Sequence, residues 1–287
     1  MTGPIPVHIR GHLAKEPTMA RFLLVHGGYT GGWLWHETVA VLRRLGHEAH
    51  PLTLTGLGDR RHLATPATDL DTHIEDVVQA IDHLDHLDDT GGPLVLVGHS
   101  YGVHPTVGAA VRRSGQVARV VCVDAPLPVE GESVLDGVPD PAWREAVARR
   151  AADHDGWRLP PPPLSETLLW GSLDGVPEDA RKRLEQLAAP QPYATLTKPI
   201  RLSADGPRPP VTGILCTRTG QVSIAAVEAL VATGEPRFQE LAGPDVTFFD
   251  LDTGHYPMLS CPAELADLLV RAVAGEGHRI QPGPPRR

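Results

Sequence analysis

The residue types and spacing most suited to chemistry lie at Gly98-His99-Ser100-Tyr101-Gly102, directly after the apolar run Leu94 to Val97. An apolar run feeding a serine flanked by glycines at two residues' distance predicts a strand that turns abruptly into a helix. The turn forces the serine into a strained backbone and projects its hydroxyl, and the glycines avoid the side-chain clash. Ser100 is therefore a candidate nucleophile. At a helix N-terminus its surroundings favour developing negative charge, because the first N–H groups have no intrahelical partner.

A second chemical stretch, His26-Gly27-Gly28-Tyr29-Thr30-Gly31-Gly32-Trp33, follows the short apolar run Phe22 to Val25. Its glycines do not have the G-x-G-x-x-G spacing of a dinucleotide site, and no acidic residue closes the next strand. The other use of such a loop is an oxyanion hole made from uncovered backbone N–H groups. His83 and His86 share a helix with Asp82 and Asp85, but an exposed polar face gives no converging metal geometry, so these residues read as a solvated surface.

These residues need elements to position them. Strands are expected at 22–25, 49–54, 94–97, 119–123, 211–217 and 246–249. Helices are expected with Val39, Leu42 and Leu45 on one face, with Ile74, Val77, Val78, Ile81 and Leu84 on another, and from Pro262 with Leu265, Leu268, Leu269 and Val273. Thr72 with Glu75 reads as a capping box. Alternating strands and helices predict an α/β domain with a doubly wound, mostly parallel sheet, over 20–126 and 211–275. Between them, 127–210 changes character, with four consecutive prolines at 160–163 and short helices but no convincing strand, and reads as an inserted helical cap. Residues 1–19 and 276–287 read as flexible termini.

The chain has 287 residues, 41% of them hydrophobic and 21% charged, which is globular composition. A net charge of −9 argues against a nucleic-acid partner, since nothing would neutralise a phosphate backbone. Cys122, Cys216 and Cys261 show no C-x-x-C spacing, and the first two sit in apolar runs, as expected of core thiols in a reducing compartment. With no secretory h-region and no long apolar run, the expectation is a soluble cytoplasmic protein without a membrane partner. Arginine outnumbers lysine 23 to 3, which suggests a GC-rich bacterial genome.

Four ordered blocks carry a resemblance. They are His26-Gly27-Gly28 through Gly32-Trp33-x-Trp35, Leu54-Thr55-Gly56-x-Gly58-x-Arg60, Gly98 to Gly102, and Gly254-His255-x-Pro257-Met258-Leu259-Ser260-x-Pro262-x-Glu264-Leu265. Over about residues 20 to 275 the chain resembles the α/β-hydrolase superfamily, and within it the branch of plant methylesterases, hydroxynitrile lyases and bacterial esterases. The resemblance implies Ser100 as nucleophile, His255 as base, and oxyanion-hole N–H groups from Gly28 and Tyr101. It implies no metal or cofactor and a small-molecule substrate. Hydroxynitrile lyases carry a lysine and a threonine where this chain has Tyr256 and Gly27, so cyanohydrin cleavage is not expected.

The family's acid position after the strand at 211–217 holds Thr219. Asp124 ends the strand after the nucleophile strand, which in this topology lies between it and the strand of Thr219. Neighbouring strands are ~4.8 Å apart, so Asp124 is a candidate relocated acid, ahead of Asp250 and Asp252. Tryptophans 143, 157 and 170 in the cap, with Tyr29 and Tyr256 beside the chemical elements, point to a covered pocket for an apolar or aromatic ligand. The expected activity is hydrolysis of an ester, thioester or lactone. The alternatives are a non-hydrolytic cyclase, isomerase or lyase reaction in the same pocket, for which Thr219 is the motive, and a ligand-binding homologue.

Overall fold

The computed structural model describes residues 19–87, 91–138, 140–202, 207–219 and 222–282. In chain order the elements are β1 Arg21–Val25, α1 His36–Arg44, β2 Glu48–Leu52, α2 Leu70–Leu87, β3 Leu94–His99, α3 Val103–Arg112 and β4 Arg119–Val123. The inserted stretch holds α4 Pro141–Ala152, β5 Arg158–Leu159, α5 Thr167–Trp170, α6 Glu178–Leu187, β6 Gln191–Pro192 and α7 Ala194–Thr197. Then come β7 Val211–Cys216, α8 Ile224–Ala232, α9 Pro236–Gln239, β8 Val246–Leu251, α10 Pro257–Ser260 and α11 Pro262–Val273.

β1 and β3 are buried along their whole length, as their unbroken apolar runs require of strands covered on both faces. Six parallel strands take the order β2-β1-β3-β4-β7-β8. The chain leaves β1 in one direction and passes from β3 to β8 in the other. α1 therefore packs with α11 on one face while α2 packs with α3 on the opposite face. The reversal falls between β1 and β3, and the loops after those strands are the glycine-rich loop and the serine turn. Ligands in such sheets bind at this switch point.

β4 and β7 are neighbours, with Val123 opposite Ile214, so the whole insertion is spliced between adjacent strands. Its buried side chains, among them Val147, Leu159, Trp170, Leu184 and Ile200, belong to the same apolar core as the sheet. Lys198, just past α7, puts its Nζ 2.6 Å from both Asp69 and Asp71 at the start of α2.

Four expectations need correction. β2 ends at Leu52 because the Leu54 N–H donates to His26 Nε2 at 3.1 Å and leaves the ladder. The insertion contains a two-residue antiparallel pair, β5 with β6, too short and proline-rich to read as strand. The capping residue of α2 is Asp69: its Oδ1 accepts from Thr72 N at 3.1 Å, and Thr72 Oγ1 accepts from Asp69 N at 3.3 Å. The tail is packed beyond residue 276, where His278 bridges Phe248 and Ile280 is 4% exposed in a second apolar cluster with Leu215, Val227, Val231 and Phe248. The N-terminal arm up to residue 18 and the last five residues lie outside the described residues.

Candidate active site

Ser100 sits at the carboxyl end of β3 with φ 51°, followed by a 3-10 turn, Ser100–Gly102, and then α3. The glycines of this turn are required by space. A Cβ on Gly98 would lie 2.8 Å from Val103 Cα, and one on Gly102 would overlap the His26 carbonyl. Only four non-glycine residues among those described have positive φ, and three of them, Tyr29, Ser100 and Asp124, end or follow the strands around this point. Such backbone strain clusters where surrounding structure holds a functional geometry.

The glycine-rich loop lies against the serine, since a Cβ on Gly27 would fall 3.1 Å from Ser100 Cβ and 2.9 Å from His99 Nδ1. The aim of the Gly28 N–H is fixed through its own peptide plane. His26 Nε2 accepts from Leu54 N, so its Nδ1 carries the proton and donates to Gly27 O at 2.7 Å; Thr30 Oγ1 donates to the same oxygen at 3.0 Å. In a trans peptide, pinning that carbonyl points the Gly28 N–H the opposite way. Tyr101 is held by its ring: its hydroxyl donates to His73 Nδ1 at 2.6 Å, while His73 Nε2 donates to Thr55 O at 2.8 Å. Among the described residues neither the Gly28 nor the Tyr101 N–H has an acceptor, which leaves both free for an oxyanion.

His255 follows β8 in a loop fastened from several sides. Its N–H donates to Ser172 O at 2.8 Å, its carbonyl accepts from His99 Nε2 at 2.7 Å, and the His99 ring lies 4.7 Å from its own. Gly171, at φ 78°, packs so closely that a Cβ there would come 2.5 Å from His255 Cγ. The His255 Nδ1–H donates to Asp124 Oδ2 at 2.6 Å, and Asp124 Oδ1 accepts from Cys216 N at 3.1 Å. Asp124 is placed by β7 as well, because its own N–H donates to Ile214 O at 2.8 Å. Burial alone would raise the Asp124 carboxyl, but the hydrogen bond and charge of His255, with the Cys216 N–H, hold it below the usual aspartate value.

The competing carboxylates are engaged elsewhere. Asp250 Oδ1 accepts from Ile224 N at the start of α8, Asp252 pairs with Arg218, and Glu228 is joined to His278. Thr219 closes the 3-10 turn after β7.

Of the aromatic residues singled out, Tyr29, Trp170 and Tyr256 come together. Their ring centroids lie 5.4 and 6.5 Å apart, and Tyr256 meets the His255 ring at 5.2 Å. Trp143 is half-buried on α4 against the main core, and Trp157 is half-buried with the Arg158 guanidinium 4.2 Å above its ring. No ring contact joins Trp157 to that trio among the described residues.

Four contributors escaped the sequence reading. His26 and His99 sit inside the quoted motifs, but nothing in those motifs assigns them a task. His73 reads as one more helix residue. Gln191 lies in Pro190-Gln191-Pro192, where the prolines signal extended backbone and nothing more. Burial pushes His26 and His73 down to about 4 and, together with the nearby His255 charge, His99 to about 3, so all three are neutral at neutral pH. Among the described residues no helix is long and apolar enough to cross a membrane.

A family model described as "Alpha/beta hydrolase family" matches residues 22–268. The carbendazim hydrolyzing esterase of Nocardioides sp. (strain SG-4G) is 32% identical over 259 residues, covering 88% of this chain and 98% of that protein. An extracellular alpha/beta-hydrolase from a Paenibacillus species, described as sharing structural and functional homology with tobacco salicylic acid binding protein 2, superposes with TM-score 0.68 at 22% identity, covering 88% of this chain and 98% of its own. The Arabidopsis methylesterase MES16 superposes with TM-score 0.65 at 18% identity, covering 90% and 100%. The chain belongs to the alpha/beta hydrolase family, as an enzyme of the carboxylesterase-like kind.

Proposed function

We propose that this enzyme hydrolyses an ester, thioester or lactone of a small apolar or aromatic molecule, with Ser100 as nucleophile, His255 as base and Asp124 as acid. The observation that carries the reading is the 2.6 Å hydrogen bond from His255 Nδ1 to Asp124, at the strand end beside the serine turn. With Nδ1–H held by a carboxylate, Nε2 is the nitrogen left to take the Ser100 proton as the hydroxyl attacks the carbonyl carbon. The resulting oxyanion is met by the Gly28 and Tyr101 N–H groups. Proton return from His255 to the leaving oxygen or sulfur breaks the scissile bond and leaves the acyl group on Ser100. His255 then takes a proton from water as it attacks the acyl carbon, and gives it to Ser100 Oγ as the acyl–serine bond breaks and the carboxylic acid leaves.

The aromatic trio reaches from the oxyanion loop to the base and supports an apolar or aromatic acyl or alkoxy group. Similarity to an esterase named for hydrolysing carbendazim supports hydrolysis of a small molecule. The motive for a non-hydrolytic reaction is Thr219 at the usual acid position, and the Asp124 contact with His255 supports the hydrolytic reading over it. The test is turnover of para-nitrophenyl acetate with labelling by a fluorophosphonate. The parent is expected to turn over the ester and to be labelled at Ser100, and Ser100→Ala to lose both. Undiminished turnover in Ser100→Ala would sink the assignment.

A further inference from the structure

The oxyanion loop is gripped from the insertion at Tyr29, the residue after the proposed donor Gly28. Tyr29 holds φ 62°, the left-handed region that disfavours a residue with a Cβ, so something must maintain it. Both of its backbone polar groups are engaged by the β6 segment: the Tyr29 N–H donates to Gln191 Oε1 at 3.1 Å, and the Ala189 N–H donates to Tyr29 O at 2.8 Å. Its ring leans on Trp170, also from the insertion.

The orientation of the Gln191 amide follows from its other end. Thr195 Oγ1 has one proton and gives it to Pro192 O at 2.6 Å, so towards Gln191 it acts as acceptor, for Nε2 at 2.7 Å. The opposite end of the amide must then present its oxygen, and that oxygen faces the Tyr29 N–H. A flipped amide would set two donors against each other inside the protein, where Gln191 is fully buried.

We propose that Gln191, oriented by Thr195, is a positioning residue for the oxyanion hole. The peptide carrying the Gly28 N–H is pinned from the core by His26 and Thr30, and the peptide that follows is pinned from the insertion by Gln191. Gly27 and Gly28 have the widest backbone freedom of any residue type. With the second pin gone, only the His26 and Thr30 bonds to Gly27 O resist motion at Gly28, and the donor is held less firmly against the developing charge. The hole is therefore held firmly only with the β6 segment docked.

This inference rests on the hydrolytic reading, and the test separates the two. Gln191→Met, Thr195→Val and Thr195→Ser are compared with the parent on para-nitrophenyl acetate. Binding of trifluoroacetophenone, whose ketone accepts the serine as an oxyanion adduct, is measured beside that of unreactive acetophenone. Losing an oxyanion donor outright costs about 10²–10³ in kcat, and loosening one is expected to cost about tenfold or more. Gln191→Met and Thr195→Val should show that loss with KM within about threefold, and trifluoroacetophenone should weaken in step with kcat/KM while acetophenone binding holds. Thr195→Ser should restore parental values, and this pair carries the test if Gln191→Met does not fold.

Unchanged kcat and trifluoroacetophenone affinity in folded variants would overturn the inference and leave the hydrolase reading standing. So would equal weakening of both ketones, which would mark Gln191 as packing alone. Turnover that survives Ser100→Ala would overturn both.

Discussion

Asp124 occupies a left-handed conformation at a strand end, and the sheet order explains why a carboxylate there serves His255. β4 lies between the strand of Ser100 and the strand of Thr219, so an acid at its end is displaced by one strand and still reaches Nδ1. Asp124→Asn should lower kcat by about 10³–10⁴, by analogy with loss of the triad carboxylate in serine proteases. Asp250→Asn and Asp252→Asn should stay near the parent, since those carboxylates serve a helix start and an arginine; steady-state kinetics of the three variants under one assay checks this. Gly171 sets the other constraint on His255. A methyl group there would both strain a φ of 78° and press on the His255 ring. Gly171→Ala should therefore lower kcat by about tenfold or more, since small misplacements of reacting groups are costly, and a crystal structure should show the imidazole displaced.

Among the elements, those buried on both faces were the readable ones. β1, β3 and β4 announce themselves as apolar runs, and the serine turn follows from its glycines. What could not be read depends on partners distant in sequence. β2 stops early because His26 takes the Leu54 N–H, and β5 and β6 form by pairing with each other across about thirty residues of the insertion. At α2 the apolar stripe was legible but its first residue was not, because Asp69 and Thr72 cap one another while Asp69 also meets Lys198. Asp69→Ala should cost about 0.5–2 kcal/mol in denaturant unfolding, the range for loss of an N-cap. The C-terminal segment read as loose from its glycines and prolines, yet Ile280 fills the second apolar cluster. Ile280→Ala should destabilise by about 2–5 kcal/mol, as for other large-to-small changes in a core, where a frayed tail would give no change.

For the molecule as a whole, five histidines whose values burial lowers make stability depend on pH. In the unfolded chain each titrates near 6.5, while in the folded protein His26, His73 and His104 are held at about 4, His99 at about 3, and His47 is lowered as well. Between those values the unfolded chain binds more protons. Stability is then full above pH 6.5 and falls as pH drops toward 4, by up to about 1.4 kcal/mol per pH unit for each histidine. Asp124, with its value depressed, acts lower: its contribution holds above about 3.8 and is lost only below that. Urea midpoints measured from pH 7.5 to 4 should decline across this window, and His73→Gln should flatten the decline.

The splice between β4 and β7 also has a consequence in time. Val123 finds Ile214 only after roughly ninety intervening residues have been made, a long-range pairing of the kind that slows folding. Until then the edge of β4 is an open, apolar template for another chain. A nascent chain that has passed Asp124 but not yet β7 thus carries the serine turn and Asp124 beside an unprotected sheet edge. Slower growth at low temperature, or a chaperone that shields this edge, should raise the soluble yield more than any change to the finished fold.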